Sequence, residues 1–240
     1  MQVLFSGQVP KDFNFPESNE DAFEIDEGGS RIALSDGASE SFDSKTWAQL
    51  LVKSFVVNPA LNSDWLSLAV DNYLSNYVIG SLSWSKQAAF ERGSFATLVG
   101  VEWFKNHSSI DVISVGDSLA VLISGSEFVE SFPYKSAEEF RQRPTLLCTN
   151  KGNNHFVGES DFYSVHCKTW DIKNTPTPNL LCMTDALAEW ALRLAAEGTP
   201  PWIELLSIRN DAELQALVES EREKKLMRID DVTLISISFD

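Results

Sequence analysis

Seven short runs rich in apolar and β-branched residues, with two long helical zones set among them, constrain this chain more than any other feature. The runs cover residues 31–35, 95–103, 111–115, 120–124, 162–167, 180–184 and 232–239, lengths and compositions that suit strands. The first helical zone extends from about residue 45 to 90. Trp47, Leu50, Leu51 and Phe55 recur there at helical spacing, as do Trp65, Leu68, Tyr73 and Tyr77, with a break expected around 58–62. The second runs from 186 to about 226, interrupted by Gly198-Thr199-Pro200-Pro201, and Asp211 is the expected N-cap of its last helix. Strands that pair locally, with helices inserted between them, make an α+β layered fold. A doubly wound parallel sheet would need regular strand–helix alternation.

Acidic residues mark the ends of these runs. Asp36-Gly37 closes the first, Asp185 closes the sixth, Asp230 opens the last, and Glu20 and Asp21 sit in Asn19-Glu20-Asp21-Ala22-Phe23. A carboxylate at a strand end is held by rigid backbone yet reaches the rim of the sheet. Several such ends brought together make an all-oxygen pocket suited to hard cations such as Mg²⁺ or Mn²⁺. Any one of them alone is an ordinary solvated turn residue, and Asp-Gly is a common turn dipeptide, so the inference rests on the set.

Composition narrows the alternatives. A net charge of −16 argues against nucleic-acid partners, which require basic surfaces. The 43% apolar content over 240 residues is enough for a sizeable core. Cys148, Cys167 and Cys182 are odd in number and none begins a Cys-x-x-Cys pair, so reduced thiols are expected. No signal peptide and no apolar run of membrane-spanning length stands out, and a cytoplasmic protein is the expectation. Phosphate-cradling glycine loops are missing, as are a Cys-x5-Arg thiol-phosphatase loop and an Asp-x-Asp nucleophile. Gly116-Asp117-Ser118-Leu119 spells an esterase nucleophile block, but no later aspartate is followed by histidine at the Asp-x-x-His spacing which that chemistry needs. Lone His107, His155 and His166, and the tryptophans, read as structural.

The ordered motifs carry a more specific signal. Asn19-Glu20-Asp21-Ala22-Phe23 is followed by Ala33-Leu34-Ser35-Asp36-Gly37-Ala38-Ser39-Glu40-Ser41 and Gly93-Ser94-Phe95-Ala96-Thr97. Ser114-Val115-Gly116-Asp117-Ser118, Met183-Thr184-Asp185-Ala186-Leu187 and Asp230-Asp231-Val232-Thr233-Leu234 complete the series. Together they resemble the metal-dependent protein phosphatases of the type 2C class, most closely the compact bacterial branch. The resemblance implies one catalytic domain over residues 1–240, built as a four-layer αββα sandwich of two antiparallel β-sheets flanked by helices. It implies a serine/threonine protein phosphatase with two Mn²⁺ or Mg²⁺ ions per site. Asp36 would bridge them, the Gly37 carbonyl and Glu20 would serve one, Asp185 and Asp230 the other, and Asp21 would stand in the outer shell. Asp117 would support the site. The implied partners are a phosphorylated protein substrate and a cognate kinase, with the phosphatase itself a monomer.

Three departures bear on that implication. Pro16 stands where much of the family has the arginine that grips the substrate phosphate, and Lys11 is the nearest upstream base to replace it. Ala186 replaces a usual glycine. The stretch 131–136 has no obvious counterpart of the aspartate linked to a third metal. A non-catalytic relative that binds a kinase or phosphoprotein is the alternative these departures raise.

Overall fold

In the computed structural model, which describes residues 1–39 and 41–239, the chain opens with β1 (Gln2–Val9), β2 (Ala22–Ile25) and β3 (Arg31–Ser35). Glu40, in the second of the motifs above, lies outside the described residues. Helices α1 (Ser44–Val57), α2 (Ser63–Leu74) and α3 (Trp84–Arg92) follow. Next come β4 (Phe95–Ala96), β5 (Leu98–Phe104), β6 (Ser109–Val115), β7 (Leu119–Ser124), β8 (Glu127–Phe132) and β9 (Leu147–Cys148). The chain closes with α4 (Phe162–His166), β10 (Cys167–Asp171), β11 (Pro178–Met183), α5 (Asp185–Ala196), α6 (Trp202–Ser207), α7 (Asp211–Glu223) and β12 (Val232–Ser238).

The strands form two five-stranded antiparallel sheets, ordered β1-β12-β11-β7-β8 and β10-β6-β5-β3-β2, beside the small β4-β9 pair. Alternation along each strand builds the layers. Ile32 and Leu34 of β3 face Leu180 and Cys182 of β11 and Ile235 and Ile237 of β12 in the core between the sheets. Ala33, between the first two, packs instead with Trp47, Leu51 and Phe55 of α1. On the far side Leu181, Met183 and Leu234 meet Trp190, Trp202 and Leu214 of α5–α7. Burial on both faces explains why these strands read as unbroken apolar runs. The result is the expected α+β sandwich with helices on both outer faces.

Several expectations are corrected. Residues 162–166 are helix α4 rather than part of a strand; pairing with β6 begins only at Cys167, opposite Ile113. Residues 95–103 split at Thr97 into β4 and β5. Asn210, not Asp211, caps α7, its side chain accepting from Glu213 N at 3.0 Å. Strands β1, β2, β8, β9 and most of β10 had no counterpart among the expected runs. The cysteines are all free thiols.

Candidate active site

The strand ends that carry the acidic motifs meet at one rim of the sandwich, where the loops after β1 and β3 approach the starts of α5 and β12. Backbone contacts fix them there. Thr97, at the break between β4 and β5, donates its N–H to the Asp36 carbonyl at 2.8 Å, and its hydroxyl accepts the Asp36 N–H at 2.9 Å. Ser118 bonds that same hydroxyl at 2.7 Å, so the Gly116-Asp117-Ser118 turn braces Asp36 rather than supplying a nucleophile. Gly116 itself has φ +106°, and a Cβ there would press into Thr97 at 2.6 Å, which is why glycine occupies the turn. Gly37 lies so close to the Glu20 carbonyl that a Cβ would fall 2.8 Å from its oxygen.

Asp21 is buried, and its Oδ2 accepts hydrogen bonds from Thr233 Oγ1 at 2.7 Å and Thr184 Oγ1 at 3.1 Å. Both threonines come from motifs that carry other candidate ligands, so Asp21 ties β2 to the loops bearing Asp185 and Asp230. Its Oδ1 is buried with no partner. Burial, and the charges of Asp231 and Asp230 beside it, push its carboxyl up to about 7 against the threonine bonds. Asp36 remains partly exposed as a residue, yet its carboxyl is pushed well above the usual range by burial, by Asp21 and by Asp117 and Asp230, with Arg228 opposing. Asp117 is raised in the same way by burial. Asp21, Asp36, Asp117 and Asp230 thus lie near enough to feel one another's charge, which favours a cation between them.

Basic side chains border these acids. Lys11 Nζ sits 2.8 Å from Glu20 Oε2 and 2.7 Å from Ser39 Oγ, with Asp231 at 3.9 Å. Burial works against its charge, but Glu20, Asp231 and Asp230 outweigh that and hold the ammonium above its ordinary range. Glu20 Oε1 accepts from the Ser44 hydroxyl. Arg228 is ion-paired with Asp185, whose Oδ1 is buried without a partner. Asp231, the neighbour of Asp230, accepts the backbone N–H groups of Lys11 at 2.7 Å and Glu20 at 2.9 Å, locking the loop after β1 to the start of β12.

The structure therefore brings Lys11, Glu20, Asp21, Asp36, Gly37, Asp117, Asp185 and Asp230 to one rim. Sequence reasoning missed Asp231, Thr184, Thr233, Thr97 and Arg228. The first four lie inside the quoted motifs, where the doubled acid and the threonines were the available signal; Arg228 had none. Among the described residues no three acidic, histidine or cysteine side chains converge closely enough to form a ready-made metal group. In kind the donors fit a hard cation: they are all oxygen, and two buried carboxylate oxygens, on Asp21 and Asp185, lack any partner.

No family sequence model matches the chain, and no curated protein does. Solved structures do. A bacterial serine phosphatase superposes with a TM-score of 0.61 at 15% identity, covering 99% of this chain and 98% of that one. Serine/threonine phosphatase Stp1 from Staphylococcus aureus gives 0.61 at 15% identity over 100% and 96%. The catalytic domain of serine/threonine protein phosphatase PstP, in complex with two manganese ions, gives 0.54 at 16% identity over 99% of each chain. At these identities the likeness establishes the fold: the chain has the fold of these phosphatases from end to end.

Proposed function

We propose that the chain is a metal-dependent serine/threonine protein phosphatase. The observation that carries this reading is the meeting of six ordered acidic motif residues at one rim of that fold, two of them with unpartnered buried oxygens. Asp36, Glu20, Asp185 and Asp230, with the Gly37 carbonyl, are the groups that would hold the metal ions, Asp36 being central among them. Asp21, gripped by Thr184 and Thr233, orients from behind. Mn²⁺ or Mg²⁺ ions held by these oxygens would supply Lewis acidity and a more acidic water for attack on a phosphoryl group. The protein's own part is positioning: Thr97 fixes the Asp36 backbone, and Asp231 fixes the loop of Lys11 and Glu20. Lys11, already placed among oxygens by Glu20 and Ser39, is the candidate to hold a phosphoryl oxygen, acting as a point charge rather than a fork.

Hydrolysis of phosphothreonine peptides with Mn²⁺ tests this directly. Asp36→Asn is expected to remove turnover by at least about 10³-fold while the fold is retained, the loss of a principal catalytic group. Turnover surviving in that variant removes Asp36 from the residues that would hold the metal. The second reading, a non-catalytic relative that binds a kinase or phosphoprotein, draws on Pro16 and on the engagement of Glu20 and Asp185 by Lys11 and Arg228. Mn²⁺ binding by calorimetry without turnover on any phosphopeptide would select it.

A further inference from the structure

Basic side chains are scarce in this chain, 19 against 35 acidic ones, and they are unevenly placed. A pocket of about 460 Å³ beside the acidic rim gathers Arg193, Arg222, Lys225 and Arg228 against a single acid, Glu189. Leu226 and Ile229, both exposed, give it an apolar lip. Two contacts make it continuous with the rim: Arg228 reaches Asp185, and an Arg222 Nη2 bonds the Asp230 carbonyl.

Little of this basic charge is neutralised by acids inside the pocket. Arg222 Nη1 is 3.1 Å from the Pro10 carbonyl, but its Nε is buried with no acceptor. Lys225 stands in the left-handed region at φ +60°, exposed, and its ammonium meets no acid among the described residues. Arg193 is shared between Glu189 at 3.4 Å and Glu197 at 3.7 Å. A positive concavity on a chain of net charge −16 is a localised attraction for an anion against a repelling background.

We propose that this pocket is a substrate subsite that takes an acidic side chain of the phosphorylated peptide close to its phosphorylated residue. The proposal rests on the phosphatase reading and adds a substrate class to it. Lys225 supplies the free donor, Arg222 adds its positive charge from behind, Arg228 borders both subsite and rim, and the Leu226–Ile229 lip accommodates an apolar neighbour of the acid.

The test compares kcat/KM of the Mn²⁺-loaded chain on three phosphothreonine peptides whose flanking residues are aspartate, alanine or lysine, with p-nitrophenyl phosphate as a check of bare activity. The acidic peptide is expected to be preferred over the neutral one by about tenfold, through KM, with the preference shrinking as salt rises. Lys225→Ala and Arg222→Gln should each draw that ratio toward one. Loss of folded protein scales both peptides alike, so the ratio reports the folded variant's site alone. Binding of the same peptides, followed by fluorescence anisotropy, should show the same order. Equal values for acidic and neutral peptides, or a ratio unmoved in both variants, overturn the subsite and leave the phosphatase reading standing. Failure to hydrolyse any of the four esters overturns both.

Discussion

Glu20 is held at three points: its carboxylate by Lys11 and Ser44, and its N–H by Asp231. A side chain fixed this way presents its charge in one place, and Lys11 is fixed with it. Lys11→Ala removes the ammonium and leaves the Asp231 anchor intact, because that bond comes from the Lys11 backbone. The variant should raise KM for phosphopeptides by about tenfold, the worth of one charged hydrogen bond. An unchanged KM would take Lys11 out of substrate binding. At this scale the acids were legible because strand ends are fixed in direction, so apolar runs point to where their flanking carboxylates emerge. Arg228 was not. A cation paired across 43 residues of sequence, Asp185 to Arg228, leaves no periodic or motif signature.

The outer helices show how elements find their seats. Phe55, on the inner face of α1, stands over Gly100 of β5, where a Cβ would lie 2.2 Å from its ring. Gly100→Ala is therefore expected to destabilise by about 1–3 kcal/mol, the usual cost of overpacking, read by urea unfolding. Phe55→Leu in the same background should recover part of it, and purely additive losses would show that the two do not touch. Helix α1 was readable from its apolar stripe, and Asp43, which accepts from Thr46 N at 3.1 Å, caps it. The edge strands were harder. β1 is interrupted by Ser6-Gly7 and a bulge near Val3, and β8 exposes Glu127, Phe128 and Val129. Both have one half-open face, so neither presents an unbroken apolar run. The stretch 162–166 is rich enough in aromatic and β-branched residues to read as a strand; packing of Phe162 among the residues of α1 and α2 wins over that propensity.

Across the whole molecule the two sheets are joined by more than their shared core. Glu130 on β8, in one sheet, accepts from Lys168 at 2.7 Å and Trp170 Nε1 at 2.8 Å on β10, in the other. Burial would raise its carboxyl, but those bonds and the lysine charge outweigh burial and hold it below the ordinary glutamate range. Its contribution is complete above the unfolded glutamate value of about 4.3 and is lost as pH falls through the lower folded value. Glu130→Gln should lower Tm at neutral pH, with the gap to wild type closing in the acid range below about pH 4. A gap independent of pH would deny the clasp its ionic part.

The paired strands β1 and β12 bring chain positions more than two hundred residues apart into register, Val9 opposite Val232. Lys11 and Glu20 follow the first of them, and Asp230 and Asp231 precede the second. During synthesis the carboxylates that follow β1 lack their acidic neighbours Asp230 and Asp231 at the rim until β12 emerges. No fragment that stops short of β12 holds a complete rim, so a chain cut before residue 230 should lack the proposed activity altogether.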